Sequence, residues 1–106
     1  MKQILPGDAH QRLSDGWNPF VLDVRNETEA AIAALARTDL LCPHDALDQV
    51  VDQIPKDRDI FVYCRSGGRS AFACAWLEAK GFTSTFNLDG GINEWARSVD
   101  PSLQTY

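Results

Sequence analysis

One segment constrains the fold more than any other: Asp59-Ile60-Phe61-Val62-Tyr63, running into Cys64-Arg65-Ser66-Gly67-Gly68-Arg69-Ser70 and then into an alanine-rich stretch. Ile60–Tyr63 are β-branched or aromatic throughout, which suits a buried strand. The two glycines break that strand. Ser70–Lys80 then reads as a helix stopped by Gly81, a usual place for a left-handed cap. A strand passing through a tight loop into a helix is half of a βαβ unit, and the rest of the chain repeats the alternation. Phe20–Val24 is a second apolar strand, Glu27–Leu35 an Ala- and Glu-rich helix, and Asp39-Leu40-Leu41 a brief strand ending at Cys42-Pro43. Ala46, Leu47, Val50, Val51 and Ile54 recur at helical spacing before Pro55. Thr83–Leu88 is a strand and Gly91–Arg97 a last short helix, while Asp8 is placed to cap a first helix that ends at Ser14-Asp15-Gly16. The alternation predicts an α/β fold with parallel strands joined by right-handed crossovers. In such sheets ligands bind beyond the carboxyl ends of the strands, where both Asp23-Val24-Arg25 and Cys64 fall.

The 106 residues suit one domain over residues 1–106, and 44% hydrophobic content supplies one core. The net charge of −5 is spread along the chain, which argues against nucleic acid as a partner. No apolar stretch approaches the roughly 20 residues of a membrane span. Met1–Pro6 lacks the apolar run of a signal peptide, so the expected location is cytoplasmic, with no membrane partner. Cys42, Cys64 and Cys74 form no C-x-x-C pair and, with only His10 and His44 beside them, give no metal-ligand spacing. Neither a metal nor a cofactor is expected.

Cys64 is the candidate nucleophile. Loop amides can converge on its sulfur as an anion-binding nest, the positive end of the following helix faces it, and Arg65 and Arg69 add charge. Such surroundings lower a thiol from about 8.5 to roughly 3.5–7.5. Gly67-Gly68 allows positive φ and close approach of the amides to an anion. Cys74, within the helix, is expected to pack. For Cys42 packing is the expected role, with a resolving thiol left open.

On Leu22-Asp23-Val24-Arg25, Tyr63–Ala71 and Asn87-Leu88-Asp89-Gly90-Gly91-Ile92 followed by Trp95, the chain resembles the rhodanese superfamily of sulfurtransferases over nearly its whole length. Its ending, Val99–Tyr106, resembles the tail of rhodanese domains fused to adenylyltransferases that serve sulfur-carrier proteins. The resemblance implies a rhodanese-like three-layer domain, a mostly parallel sheet with helices on both faces. It implies that Cys64 takes a sulfur from thiosulfate or a protein persulfide, carries it as a persulfide, and yields it to a small thiol or a sulfur-carrier protein. The amides of Arg65, Ser66, Gly67, Gly68, Arg69 and Ser70 would hold the persulfide. Arg65 would meet the anionic donor, Arg69 would tie the loop or add charge, and Asp23 and Arg25 would brace the loop as a salt bridge. Trp95 and Gly90-Gly91 are expected in core and turn, and His44 at the surface. The segment Ala30–Pro43 departs from the family pattern, so that wall of the pocket is expected to differ. Two rival readings are a sulfur-relay or sulfane-sulfur-sensing module with little turnover, and a cysteine-dependent phosphatase or arsenate reductase. The latter signature places five residues between cysteine and arginine, where this chain has four.

Overall fold

In the computed structural model, which describes residues 1–106, five parallel strands form one sheet. The strands are β1 (Lys2–Ile4), β2 (Phe20–Asp23), β3 (Leu40–Leu41), β4 (Ile60–Tyr63) and β5 (Thr85–Leu88), in spatial order β1-β5-β4-β2-β3. The helices are α1 (Pro6–Ser14), α2 (Glu27–Ile32), α3 (Gly68–Ala79) and α4 (Gly91–Ser98). Strand β4 is central and wholly buried, and its alternation divides the core in two. Ile60 and Val62 pack with Leu22, Ala73, Cys74 and Leu77 beneath α3. Phe61 and Tyr63 pack with Val21, Ala9, Ile92 and Trp95 beneath α1 and α4. Helices therefore cover both faces of the sheet, as the rhodanese-like three-layer expectation requires. No helix is long and apolar enough to cross a membrane.

Three expectations are corrected. Asp8 does not cap α1: Leu5 holds the cap position without a side-chain bond, Pro6 opens the helix, and Asp8 lies in its first turn. The helix expected over Glu27–Leu35 ends at Ile32, because the following backbone is engaged elsewhere. Arg25 takes the Ala33 carbonyl at 2.8 Å, and the Leu35 amide donates to the Tyr63 hydroxyl at 3.2 Å. The helix expected over 46–54 is instead two 3₁₀ turns, Leu47–Gln49 and Val51–Gln53, which still bury Leu47 and Ile54 against the sheet. A 3₁₀ path covers about 2.0 Å per residue rather than about 1.5 Å, letting a short segment reach further along the sheet. Strand β1 escapes the sequence reading altogether. It has three residues, two of them exposed, and it exists through parallel pairing with β5. The remaining boundaries fall within two residues of expectation, and Gly81 follows α3 with φ +97°.

Candidate functional site

The parallel sheet brings Asp23-Val24-Arg25 and Cys64 to neighbouring strand ends. Asp23 pairs with Tyr63 in register, and the Val24 amide donates to the Tyr63 carbonyl at 3.1 Å. Beyond Tyr63 the chain turns sharply through Gly67, at φ +111°, and enters α3 at Gly68. A Cβ at Gly67 would stand 3.5 Å from the Gly90 amide, an ordinary contact, so it is the left-handed turn that requires glycine. Gly68 differs from the expectation of a paired glycine requirement: it has ordinary helical φ and open space around it.

This turn wraps donors around the Cys64 sulfur. The Gly67 amide lies 3.1 Å from Sγ, the Ser70 amide 3.4 Å and the Ser70 hydroxyl 3.3 Å. Burial, the largest influence on the thiol, pushes its pKa up. The Ser70 hydroxyl and the amides of Ser70, Gly67 and Ser66 together outweigh burial and hold the thiol below its ordinary value. Cys64 is only 1% exposed, yet Arg65, Ser66 and Gly68 just above it are exposed, which sets the mouth of the site there. The other two thiols go the other way. Burial pushes Cys74 up to about 12. Burial, then Asp45 and Asp48, raise Cys42. Cys42 and Cys64 follow β3 and β4 at the same level, with β2 between them. Two strand spacings separate their Cα atoms by about 9–10 Å, whereas a disulfide needs about 7 Å or less. The resolving role left open for Cys42 therefore requires backbone movement.

The arginines divide, and of the two roles expected of Arg69, tying the loop or adding charge, the contacts favour the first. Arg69 forms a two-pronged ion pair with Glu29, at 2.7 and 2.8 Å, tying the loop to α2 rather than aiming at Cys64. Hydrogen bonds from Arg69, then Tyr106 and the Asn26 amide, overcome partial burial and hold Glu29 down at about 2. Arg25 is fully buried, and its Nε and Nη2 donate to the two oxygens of Asp23 at 2.9 and 2.7 Å. Its Nη1 donates to the Tyr106 hydroxyl at 2.9 Å, which in turn donates to Glu29 Oε2 at 2.8 Å. Asp23 and Arg25 thus brace the loop at one remove, through Tyr106, Glu29 and Arg69. Arg65 remains at the surface, its guanidinium 5.0 Å from the centre of the Tyr106 ring. His44 lies half-exposed against Phe72, and Trp95 in the core under α4.

Three functional partners were missing from the sequence reading. Glu29 carried a readable signal, because Asn26 and Glu29 form a capping box, the Glu29 amide donating to Asn26 Oδ1 at 2.9 Å. Gly91 is the second: its place in a turn was expected, its contact with the cysteine loop was not. At φ +66°, a Cβ there would overlap the Arg65 carbonyl, so the Gly90-Gly91 turn supports the cysteine loop from below. Tyr106 is the third, and nothing local in the sequence marks it. A cleft of about 450 Å³ exists elsewhere, lined by Leu13, Val21, Leu35, Phe61, Trp95 and Leu103 on the sheet face away from the Cys64 cluster.

Comparison with known proteins gives a consistent picture. The Rhodanese-like domain family matches residues 5–98. A protein of Allochromatium vinosum named Sulfurtransferase is 41% identical over 87 residues, covering 82% of this chain and 80% of its own. The Probable adenylyltransferase/sulfurtransferase MoeZ of Mycobacterium tuberculosis is 30% identical over 105 residues, covering 97% of this chain but 26% of the relative. Of the Rhodanese-like/PpiC domain-containing protein 12 of Arabidopsis thaliana, 34% identical, the chain spans 38%. Among solved structures, a rhodanese-like domain protein from Staphylococcus aureus superposes with a TM-score of 0.84 at 26% identity, covering 100% of this chain and 99% of that one.

Proposed function

The chain belongs to the rhodanese-like domain family, and from that premise we propose that it is a sulfurtransferase, one domain over residues 1–106, working through a Cys64 persulfide. The observation that carries this reading is the ring of donors on the Cys64 sulfur, two amides and a hydroxyl within 3.4 Å. Donors so placed favour a thiolate without a general base, and they would equally hold the outer sulfur of a persulfide. The thiolate attacks the outer sulfur of thiosulfate, the sulfur–sulfur bond of the donor breaks, and sulfite leaves with the electron pair. A thiophilic acceptor, the thiolate of a small thiol or of a cysteine on a sulfur-carrier protein, then attacks the outer sulfur of the persulfide, the sulfur–sulfur bond breaks, and Cys64 leaves as the thiolate. Arg65, exposed at the mouth, meets the anionic donor. A compartment that keeps thiols reduced suits this cycle and agrees with the cytoplasmic placement read from the sequence.

The Arg69–Glu29 pair supports sulfur transfer over phosphoryl transfer. An arginine that closes on a phosphate must present its fork to the loop interior, and here both prongs are taken by a carboxylate. The test is mass spectrometry of the protein after thiosulfate exposure and desalting. One sulfur atom should appear on the peptide carrying Cys64, and cyanide should remove it as thiocyanate. Cys64→Ser should gain nothing, while Cys42→Ser and Cys74→Ala retain the gain. Cys64-dependent release of phosphate from an aryl phosphate, with no persulfide formed, overturns the proposal.

A further inference from the structure

We propose that Tyr106 is a positioning residue, whose ring holds the Arg65 guanidinium over the mouth of the Cys64 site and so sets the preference of that site for an anionic reactant. The inference rests on reading Cys64 as the group that meets the sulfur donor, and it names what fixes the charge presented there.

Arg65 makes no hydrogen bond or ion pair through its guanidinium, and its side chain stands exposed. Left alone, such a side chain samples many rotamers, and its charge is averaged over solvent. The Tyr106 ring, 5.0 Å from Arg65 Cζ, is the one aromatic surface against which it lies. That ring is itself fastened from four directions. The Asn93 side-chain amide donates to the Tyr106 carbonyl at 3.0 Å, and the Tyr106 amide donates to Asn93 Oδ1 at 3.3 Å. The hydroxyl sits between Arg25 and Glu29, at 2.9 and 2.8 Å. The flank of the side chain packs against the core beneath α4 together with Val99 and Leu103. Asn93 also ties the two partners together, because its backbone amide donates to the Arg65 carbonyl at 3.2 Å. One residue of α4 therefore fixes the backbone of Arg65 and the backbone of Tyr106, which keeps the ring within reach of the guanidinium. The ring meets Arg65 at 5.0 Å and, farther off at 5.8 Å, Arg25, which Asp23 and the Ala33 carbonyl hold independently, while the hydroxyl serves Arg25, Glu29 and, through Glu29, Arg69.

The test compares alkylation of Cys64 by iodoacetate and by iodoacetamide, reagents of similar size that differ in charge, at fixed pH and low salt. The ratio of the two rates reads the charge at the mouth and is independent of sulfur transfer. Tyr106→Ala should lower the ratio about two- to fivefold, the range expected for losing a cation–ring contact at an exposed site. Tyr106→Phe should restore it, because the ring remains. Arg65→Ala, which removes the charge itself, should lower it at least as far, and Arg65→Ala combined with Tyr106→Ala should lower it no further than Arg65→Ala alone, since both act through one group. An unchanged ratio in Tyr106→Ala, a loss in Tyr106→Phe equal to that in the alanine variant, or additive losses in the double variant would each overturn the inference. Persulfide formation from thiosulfate by the unaltered protein tests the underlying sulfur-transfer reading separately. Its failure would leave the alkylation ratio to judge Tyr106 on its own.

Discussion

Replacing Ser70 by alanine should disarm Cys64 without unfolding its loop. Ser70 is fully buried, and its hydroxyl, 3.3 Å from the sulfur, is the strongest of the groups that favour the thiolate. The hydroxyl also lies 3.2 Å from the Gly67 carbonyl, but that oxygen keeps two other donors, the Ala71 amide at 3.1 Å and Asn87 Nδ2 at 3.2 Å. The substitution therefore orphans no acceptor. A hydrogen bond to a charged group contributes about 1.5–3 kcal/mol, and the long sulfur contact argues for the lower end. About 1.5 kcal/mol is roughly a tenfold change in the ratio of thiolate to thiol. The rate of iodoacetamide alkylation at the Cys64 peptide, followed against pH, should fall about tenfold on the acid side of its midpoint and converge with the parent at high pH. The sign for stability follows from the same linkage. Because the folded thiol titrates below the unfolded one, the thiolate contributes stability above the unfolded value of about 8.5, which is lost as pH falls through the folded value. The gap in unfolding free energy between parent and variant should accordingly widen with rising pH. The comparison that decides the cause is Glu29→Gln combined with Arg69→Met, which removes the ion pair as a unit. If that pair moves the alkylation profile about tenfold and Ser70→Ala moves it less than about twofold, charge rather than donor geometry activates the thiol, and the reasoning fails.

Two further outcomes follow from the loop's supports. Gly91→Ala should lose at least about 2 kcal/mol in denaturant unfolding, since it combines a left-handed φ with overlap against the Arg65 carbonyl, and Gly91→Asn should do no better because the overlap persists. Gly68→Ala, in open space at the start of α3, should be neutral or stabilising by about 0.5 kcal/mol, and equal losses at the two positions would refute the distinction. Glu29, held at about 2 against an ordinary 4.5, contributes stability present above about 4.5 and lost as pH falls through about 2. Thermal unfolding of Glu29→Gln should thus trail the parent at neutral pH and meet it near pH 2; a gap that stays constant from neutral to acid would contradict the pairing with Arg69.

Much of this was legible because the sequence states it locally. The run Ile60–Tyr63, the break at Gly67 and the alanine-rich α3 each carry their own periodicity or turn chemistry, so strand, loop and helix were placed within two residues. The candidate nucleophile was legible for the same reason, since the donors come from the six residues after it. What was not legible depends on partners distant in sequence. Strand β1 is made by β5, and α2 is cut short because Arg25 and Tyr63 take backbone groups it would have used. Arg69 reads equally as a loop tie or as a charge for the sulfur until Glu29, forty residues earlier, claims it. Tyr106 joins Arg25, Glu29 and Arg65 only after the whole fold has closed.

Asn87 carries a consequence for the order of events as the chain folds. From β5 its side-chain amide donates both to Gln3 on β1 and to the Gly67 carbonyl in the cysteine turn. Gln3 and Asn87 are 84 residues apart, so that contact closes one of the longest loops available to the chain, and contacts of such separation form slowly. Until β5 docks, the Gly67 carbonyl is held only by its local donors, the Ala71 amide and the Ser70 hydroxyl. The turn that carries the donors of Cys64 thus gains its last anchor only when the sheet is complete.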